Sequence, residues 1–170
     1  MPLTAAHLLE DAFGRIEESL DAVLGDLDVD DLARPPAPGT NSIAWLVWHL
    51  ARVVDDHLAA VAERPQVWEA EGFRARLALD LPADDTGYGH GPDEVARVRA
   101  SGADLAGYAR AALALAVEVV HGLDDADLER VVDEAWDPPV TLAVRLVSVL
   151  DDATRHIGQA EYVRGLLDRR

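Results

Sequence analysis

His49, Asp152 and His156 are the side chains whose types and spacing would suit a metal ion. Asp152 and His156 are four residues apart, so on a helix they lie one turn apart on the same side. A facing helix could bring His49 as a third ligand, with each ligand atom roughly 2.0 to 2.2 Å from a zinc ion. Three protein ligands would leave one coordination position open for substrate. Spacing alone favours a simpler interpretation, in which Asp152 and His156 only touch on a helix surface and His49 is a hydrogen-bonded core residue.

The segment around His49 has the apolar periodicity of a long helix. Residues 41–63 place a single apolar stripe along one helical face, formed by Ile43, Leu46, Val47, Leu50, Val53, Val54, Leu58 and Val61. His49 lies at one edge of this stripe, Asp56 lies further along the same edge, and His57 falls near its centre. The pattern predicts a helix that buries one face and carries an imidazole at the border of that face.

Asp152 and His156 belong to the last predicted helix, residues 142–167, which Thr141 can cap. Both side chains lie at one edge of the apolar stripe of that helix, as His49 does on its own helix. We therefore expect the three side chains to meet inside a bundle of helices.

Two further helices complete the pattern. Residues 4–26 show the same recurrence of apolar residues at three- and four-residue spacing. Residues 101–122 are apolar over much of the helical circumference, which predicts a well-buried helix that Ser101 caps and Gly122 ends. Four long helices predict an all-α four-helix bundle, with long loops that carry short helical pieces, mainly within residues 64–100. Because the sequence contains no repeat, low-complexity tract or linker, residues 1–170 are expected to form a single domain.

A glycine-rich loop precedes the third long helix. Gly87, Gly89 and Gly91 alternate in it, but no apolar strand comes before them, so a phosphate-binding loop is not indicated. Long loops are often functional, and this one could carry Tyr88 and His90 over a site. A plain surface turn is the favoured interpretation, and the pattern leaves open whether Gly87 to Gly91 covers a site.

Charge and composition exclude several classes of function. The formal net charge is −17 and the pI is near 4.5, so the chain lacks the basic surface that nucleic acids and anionic membranes require. There is no cysteine, which excludes disulfides, thiolate metal sites and a cysteine nucleophile. No apolar run is long enough to span a bilayer and no signal peptide is apparent, so we expect a cytoplasmic protein.

Three stretches of the chain resemble the DinB-like superfamily, which includes mycothiol-dependent maleylpyruvate isomerases and related thiol S-transferases. They read NSIAWLVWHLARVVDDH, DTGYGHGPDEVARV and WDPPVTLAVRLVSVLDDATRHIGQAEYVRGLL. The resemblance covers roughly residues 5–167, and its most specific parts are WHL and RHIGQAEYVRG. It implies a DinB-like four-helix bundle in an up-down-down-up arrangement, with a metal at one end.

The resemblance also implies which residues bind the metal. The family has a histidine on the second helix and a His-x-x-x-His or Glu-x-x-x-His pair on the last helix. These positions correspond to His49, Asp152 and His156, with the shorter aspartate as the middle ligand. Zinc or nickel is the expected metal, and the resemblance changes the favoured interpretation of the three residues to a metal site.

Three hypotheses of function follow. In the leading one, the protein is a metal-dependent S-transferase or isomerase that uses mycothiol or bacillithiol with a small-molecule substrate, and Asp56, His57 and Tyr88 orient a ligand or contact the substrate. In the second, it is a metal-dependent hydrolase with His90 or Asp56 as the base. In the third, it is a stress-related or structural bundle without activity, and a homodimer is expected.

Overall fold

Eight α-helices, and a 3-10 helix at Asp127–Glu129, occur within residues 3–168, the part of the chain that the computed structural model describes. In chain order the α-helices are α1 (Ala5–Leu24), α2 (Val29–Leu32), α3 (Ile43–Val61), α4 (Val67–Ala70), α5 (Phe73–Leu77), α6 (Pro92–Val95), α7 (Gly102–His121) and α8 (Leu142–Leu167). The helices α1, α3, α7 and α8 are long, and the other four are short pieces in the connections. None of the eight has the length and hydropathy that crossing a bilayer requires.

Each long helix begins at a side chain that caps it. Thr4, Ser42, Ser101 and Thr141 each accept a hydrogen bond from the backbone N–H three residues later. Because such caps fix helix starts locally, the observed bounds lie within two residues of the predicted ones. The prediction of an all-α, DinB-like four-helix bundle is confirmed.

Helix α3 is the central element of the bundle. It packs against α7 and α8, and α1 packs against the same two helices, so α1 and α3 lie diagonally opposite each other. The predicted single stripe of α3 is incomplete, because Trp45, Trp48, Arg52 and Asp55 are buried as well. Helix α4 and the loop that follows α5 cover this second face of α3.

A short hairpin that the sequence pattern did not predict leads into α8. Strand β1 (Val131–Asp133) pairs antiparallel with β2 (Val140–Thr141), and such short strands show too little alternation to be recognised. The N–H of Leu142 donates to the carbonyl oxygen of Arg130 over 2.8 Å. The hairpin therefore holds residues 130–133 beside the first turns of α8.

Candidate metal centre

His49 on α3 meets Asp152 and His156 on α8, because these two helices pack side by side. One ligand atom from each residue lies within 4.8 Å of the others. Oδ1 of Asp152 lies 4.0 Å from Nε2 of His49 and 3.5 Å from Nε2 of His156. The two imidazole rings are 4.7 Å apart, centroid to centroid, and nearly perpendicular. The three side chains that the sequence singled out therefore converge on one point.

The hydrogen bond of His49 fixes which of its ring nitrogens is free. Its Nδ1 lies 2.5 Å from the carbonyl oxygen of Thr86. A carbonyl can only accept, so the proton of His49 is on Nδ1, and the lone pair of Nε2 is free on the side of Asp152. Burial lowers the pKa of His49 by more than that hydrogen bond raises it, so the ring is neutral, as a metal ligand must be.

His156 is oriented by a residue of its own helix. Its Nδ1 lies 2.9 Å from Oε1 of Gln159, which turns Nε2 toward Asp152. Burial lowers the pKa of His156, but the hydrogen bond with Asp152 and the charge of that carboxylate outweigh burial and raise it. Burial likewise raises the pKa of Asp152, but the pairing with His156 outweighs it and lowers that pKa. In the metal-free protein the two groups therefore attract each other as an ion pair.

One oxygen of the site has no partner. Oδ2 of Asp152 is buried and accepts no hydrogen bond from any residue within 3–168. A buried carboxylate oxygen in this state is costly unless a cation or a donor meets it. Two imidazole nitrogens and a carboxylate are ligand types that zinc and nickel accept, so the residues present fit a divalent ion.

A glycine-rich loop lies directly over His49, which settles whether the loop reaches the site. Gly87 has a φ of +90°, and a Cβ at this position would lie 2.8 Å from Nδ1 of His49 and 2.9 Å from the ring of Trp48. The position therefore requires glycine both for its backbone conformation and for space. The ring of Trp45 stacks on His49 at 4.6 Å, so one side of the imidazole is covered by protein.

The two candidate side chains of this loop, His90 and Tyr88, are placed differently. Nε1 of Trp45 donates to Nδ1 of His90 over 3.1 Å, and Nε2 of His90 lies 2.9 Å from the carboxylate of Asp85. Both ring nitrogens of His90 are thus engaged in holding the loop. Tyr88 is 94% exposed and lines the cavity beside the metal site.

A cavity of about 370 Å³ opens next to the three ligand residues. His49, Asp152, Asp56 and His57 all contribute to its wall. Arg145 donates to Nδ1 of His57 over 2.9 Å. Burial, and then the charge of Arg145, lower the pKa of His57, so this imidazole is neutral. The structure thus brings two further candidate side chains within reach of a molecule bound at the site.

Sequence reasoning missed the groups that orient the site. Thr86 acts through its backbone carbonyl, which no residue pattern marks. Gln159 follows His156 by three residues, a spacing that places the two side chains side by side on a helix and could have identified it. Arg145 precedes Asp152 by two helical turns and could have been found by the same count.

A buried polar cluster on the other side of α3 was also missed. Arg52 and Asp55 are fully buried there and contact Tyr108 of α7. Nε of Arg52 also donates to the carbonyl oxygen of Asp85 over 3.0 Å. This cluster therefore holds the backbone of the loop one residue before the carbonyl that orients His49.

Comparisons with known proteins agree with this fold. Residues 8–169 match the family model described as mycothiol S-transferase. A conserved protein from Enterococcus faecalis, known from its crystal structure, is 34% identical to the chain and superposes with a TM-score of 0.91. That match covers 99% of this chain and 100% of the other. No curated protein matches the chain.

Proposed function

The chain belongs to the mycothiol S-transferase family, and from this premise we propose that it transfers a low-molecular-weight thiol, mycothiol or bacillithiol, to a small electrophilic substrate. His49, Asp152 and His156 would hold a divalent ion, zinc or nickel, beside the reacting thiol. The chain contains no cysteine, so the reacting sulfur belongs to the co-substrate.

The carboxylate of Asp152 carries the proposal: its Oδ1 lies near the Nε2 atoms of two oriented imidazoles, and its Oδ2 is buried without a hydrogen-bond partner within residues 3–168. Thr86 and Gln159 take the Nδ1 side of His49 and His156, which leaves both Nε2 atoms for a shared ligand. A divalent ion bound there would lower the pKa of a thiol, so that the thiol would be available as a thiolate at neutral pH.

The neighbouring cavity supplies the groups for the substrate. In a transfer, the thiol sulfur bonds to the electrophilic carbon, the leaving group departs with the electron pair of its bond, and the thiol proton is released. Asp56 can accept that proton from its place in the cavity wall. Because Arg145 occupies Nδ1 of His57, the neutral ring carries its proton on Nε2 and can donate a hydrogen bond to the substrate. In an isomerisation the thiolate first adds to a double bond of the substrate and is later expelled, and the same groups contact the substrate in both steps.

The test combines metal content with thiol conjugation. We expect the wild type to carry about one divalent ion per chain and His49→Ala to carry none, because three protein ligands hold a catalytic ion. Wild type with mycothiol and monochlorobimane should form conjugate faster than Asp152→Ala or His156→Ala. His121→Ala, which removes an exposed histidine on α7, is the matched control and should keep both properties.

Two results would contradict the proposal. Equal metal content in wild type and His49→Ala would remove the site, and unchanged melting after chelation would then favour a structural bundle. Ester or amide hydrolysis without any thiol would favour a hydrolase. In that case Asp56 is the better candidate base, because both nitrogens of His90 are engaged in the loop.

A further inference from the structure

A second cavity, of about 440 Å³, adjoins the one at the metal site. His57 lines both, so the two cavities lie on either side of this residue. The wall of the second cavity comes from the C-terminal part of α3, from β1 and from the first turns of α8. A molecule that lies in it therefore has one end close to the cavity where the thiol reacts.

Arg145 presents a fixed cation to this second cavity. Its Nη1 donates to Nδ1 of His57 and its Nη2 donates to Oδ2 of Asp133, each over 2.9 Å. These contacts hold the guanidinium at both ends, and its side chain is only 18% exposed. A guanidinium has five N–H donors, and the Nε–H of Arg145 has no hydrogen-bond partner within residues 3–168. The arginine is thus oriented by protein and still has donors to offer.

The other charges around the cavity decide what kind of ligand it suits. Arg130 also lines it, and its guanidinium makes a single 3.4 Å contact with a carbonyl oxygen and no ion pair within the described part of the chain. Asp133 already accepts from the N–H of Ala135 and from Arg145, and its pKa is lowered, first by the Ala135 hydrogen bond. Glu63 is a further acid in the wall and opposes a ligand of high negative charge.

We infer that the cavity beside His57 binds the carboxylate group of the electrophilic substrate, with Arg145 as its principal donor and Arg130 as a second. That the carboxylate belongs to the electrophilic substrate rests on the proposed function. That the cavity binds a carboxylate rests only on the side chains that line it. A planar, singly charged carboxylate matches the fork of a guanidinium. A dianionic phosphate suits the cavity less well, because Asp133 and Glu63 face it.

The apolar part of the wall fits this assignment. Ala60, Val61, Val131 and Val132 supply it, so the body of a small organic acid packs on apolar surface while its carboxylate meets the arginines. The opposite end of the molecule then extends past His57 toward the cavity that His49 and Asp152 line. We therefore expect the protein to prefer electrophiles that carry a carboxylate at a distance from the reactive carbon.

The first experiment measures binding by titration calorimetry with benzoate, benzamide and inorganic phosphate as probes. We expect benzoate to bind the wild type and His156→Ala equally, which separates this cavity from coordination to a metal. Arg145→Gln should weaken benzoate by about tenfold or more, because a charge-assisted hydrogen bond is lost. Arg130→Gln should weaken it less, and Arg15→Gln, which removes an exposed and distant arginine, should leave it unchanged.

Three results would each overturn the inference. Benzamide could bind as tightly as benzoate, phosphate could bind more tightly than benzoate, or the affinity for benzoate could be unchanged in both Arg145→Gln and Arg130→Gln. Arg130 is exposed, so its variant decides the question if Arg145→Gln does not fold. The kinetic counterpart compares a carboxylate electrophile with its methyl ester. Arg145→Gln should raise KM at least tenfold more for the acid than for the ester, whose KM reports any change in the orientation of His57. If thiol conjugation occurs but does not discriminate between acid and ester, the carboxylate site is refuted and the proposed function is kept. If benzoate binding depends on the arginines but no conjugation occurs, only the proposed function is refuted.

Discussion

Helix α3 carries two polar clusters that differ in how their charges are satisfied. In the Arg52 cluster, formed by Arg52, Asp55, Gln66 and Tyr108, the carboxylate of Asp55 accepts from two backbone N–H groups and from the Tyr108 hydroxyl, over 2.8 to 3.0 Å. In the candidate metal site, Oδ2 of Asp152 is buried and meets no donor within residues 3–168. A carboxylate that the protein satisfies serves the fold, whereas one that it orients and leaves unsatisfied is available to a ligand.

The two clusters are joined through the loop that both contact. Arg52 donates to the carbonyl oxygen of Asp85, and the next residue, Thr86, accepts from His49. Arg52 also donates to Gln66 and Tyr108, although its Nη2 is buried and has no partner among the residues that the structure describes. The Arg52 cluster, with its satisfied Asp55 carboxylate, thus fixes the backbone that orients His49. Substitutions in the Arg52 cluster should therefore lower stability, and substitutions of His49, Asp152 or His156 should lower metal affinity.

The largest expected effect is the loss of the buried carboxylate of Asp55. Asp55→Ala leaves two backbone N–H groups, the Tyr108 hydroxyl and the charge of Arg52 without their acceptor. Breaking a buried ion pair on one side costs about 3 to 5 kcal/mol, so the free energy of unfolding measured in urea should fall by that amount.

Asp56→Ala is the matched control for that change. Asp56 is the adjacent carboxylate on the same helix, but it is half exposed and accepts one hydrogen bond, from Gln66. We expect it to cost about 1 kcal/mol or less, as for most exposed polar groups. Equal losses for the two variants would refute the distinction between a satisfied buried carboxylate and an accessible one.

The next largest effect concerns metal binding at the other cluster. A ligand that binds only the folded state stabilises it by about 2.7 kcal/mol at a free concentration 100-fold above Kd. Adding zinc or nickel to metal-free wild type should therefore raise Tm by roughly 5 to 10 °C for a domain of this size. His156→Ala should lose this increase while its metal-free Tm remains close to that of the wild type. An increase of the same size in both proteins would place the ion elsewhere.

The same contrast explains which features the sequence could predict. The four long helices were predictable because Thr4, Ser42, Ser101 and Thr141 cap them locally, and proline- or glycine-rich connections separate them. The pair Asp152 and His156 followed from helical spacing, but their assignment as ligands together with His49 needed the resemblance to a family.

The remaining features depend on tertiary contacts that no local pattern contains. Arg52 and Asp55 fall outside the apolar stripe of α3 and would be exposed on an isolated amphipathic helix. They are buried because α4 and the following loop pack on that face. Thr86 contributes a backbone atom, which is independent of residue type, and its position depends on how that loop folds over His49.

A smaller effect should come from the glycine that lies against His49. Gly87→Ala requires the loop to move, because its Cβ would lie 2.8 Å from Nδ1 of His49. We expect the free energy of unfolding to fall by roughly 1 to 3 kcal/mol, and metal affinity to fall by about 10- to 100-fold as the Thr86 hydrogen bond is disturbed.

Gly89→Ala separates backbone strain from contact with the imidazole. Gly89 also has a positive φ, +77°, but no atom of the described residues lies within 4 Å of the position a Cβ would take. The Gly89→Ala variant should lose about 1 kcal/mol of unfolding free energy, because alanine is strained at a positive φ, and it should keep its metal affinity. If both variants lose affinity equally, movement of the whole loop, and not the contact at Gly87, controls His49.

The smallest expected effect is the pH dependence of the Asp152–His156 pair without metal. Burial lowers the pKa of His156, but the hydrogen bond and charge of Asp152 raise it overall, so His156 binds its proton more tightly when the chain is folded. The pair therefore contributes its full stability below the unfolded pKa of His156 and loses it as pH rises through the raised folded value. On the acid side the contribution disappears as pH falls through the lowered pKa of Asp152.

The quantity to measure is the difference in unfolding free energy between wild type and Asp152→Asn, in chelator, from about pH 5 to pH 9, a range that spans the ordinary histidine pKa. Burial lowers the pKa values of His49 and His57, which gives the opposite slope with pH in both proteins, so this contribution largely cancels in the difference. We expect the difference to be largest at mildly acidic pH and to shrink as His156 loses its proton. A difference that stays constant with pH would mean that Asp152 stabilises the fold without pairing to His156. The candidate metal site would then lack a preformed ion pair between Asp152 and His156.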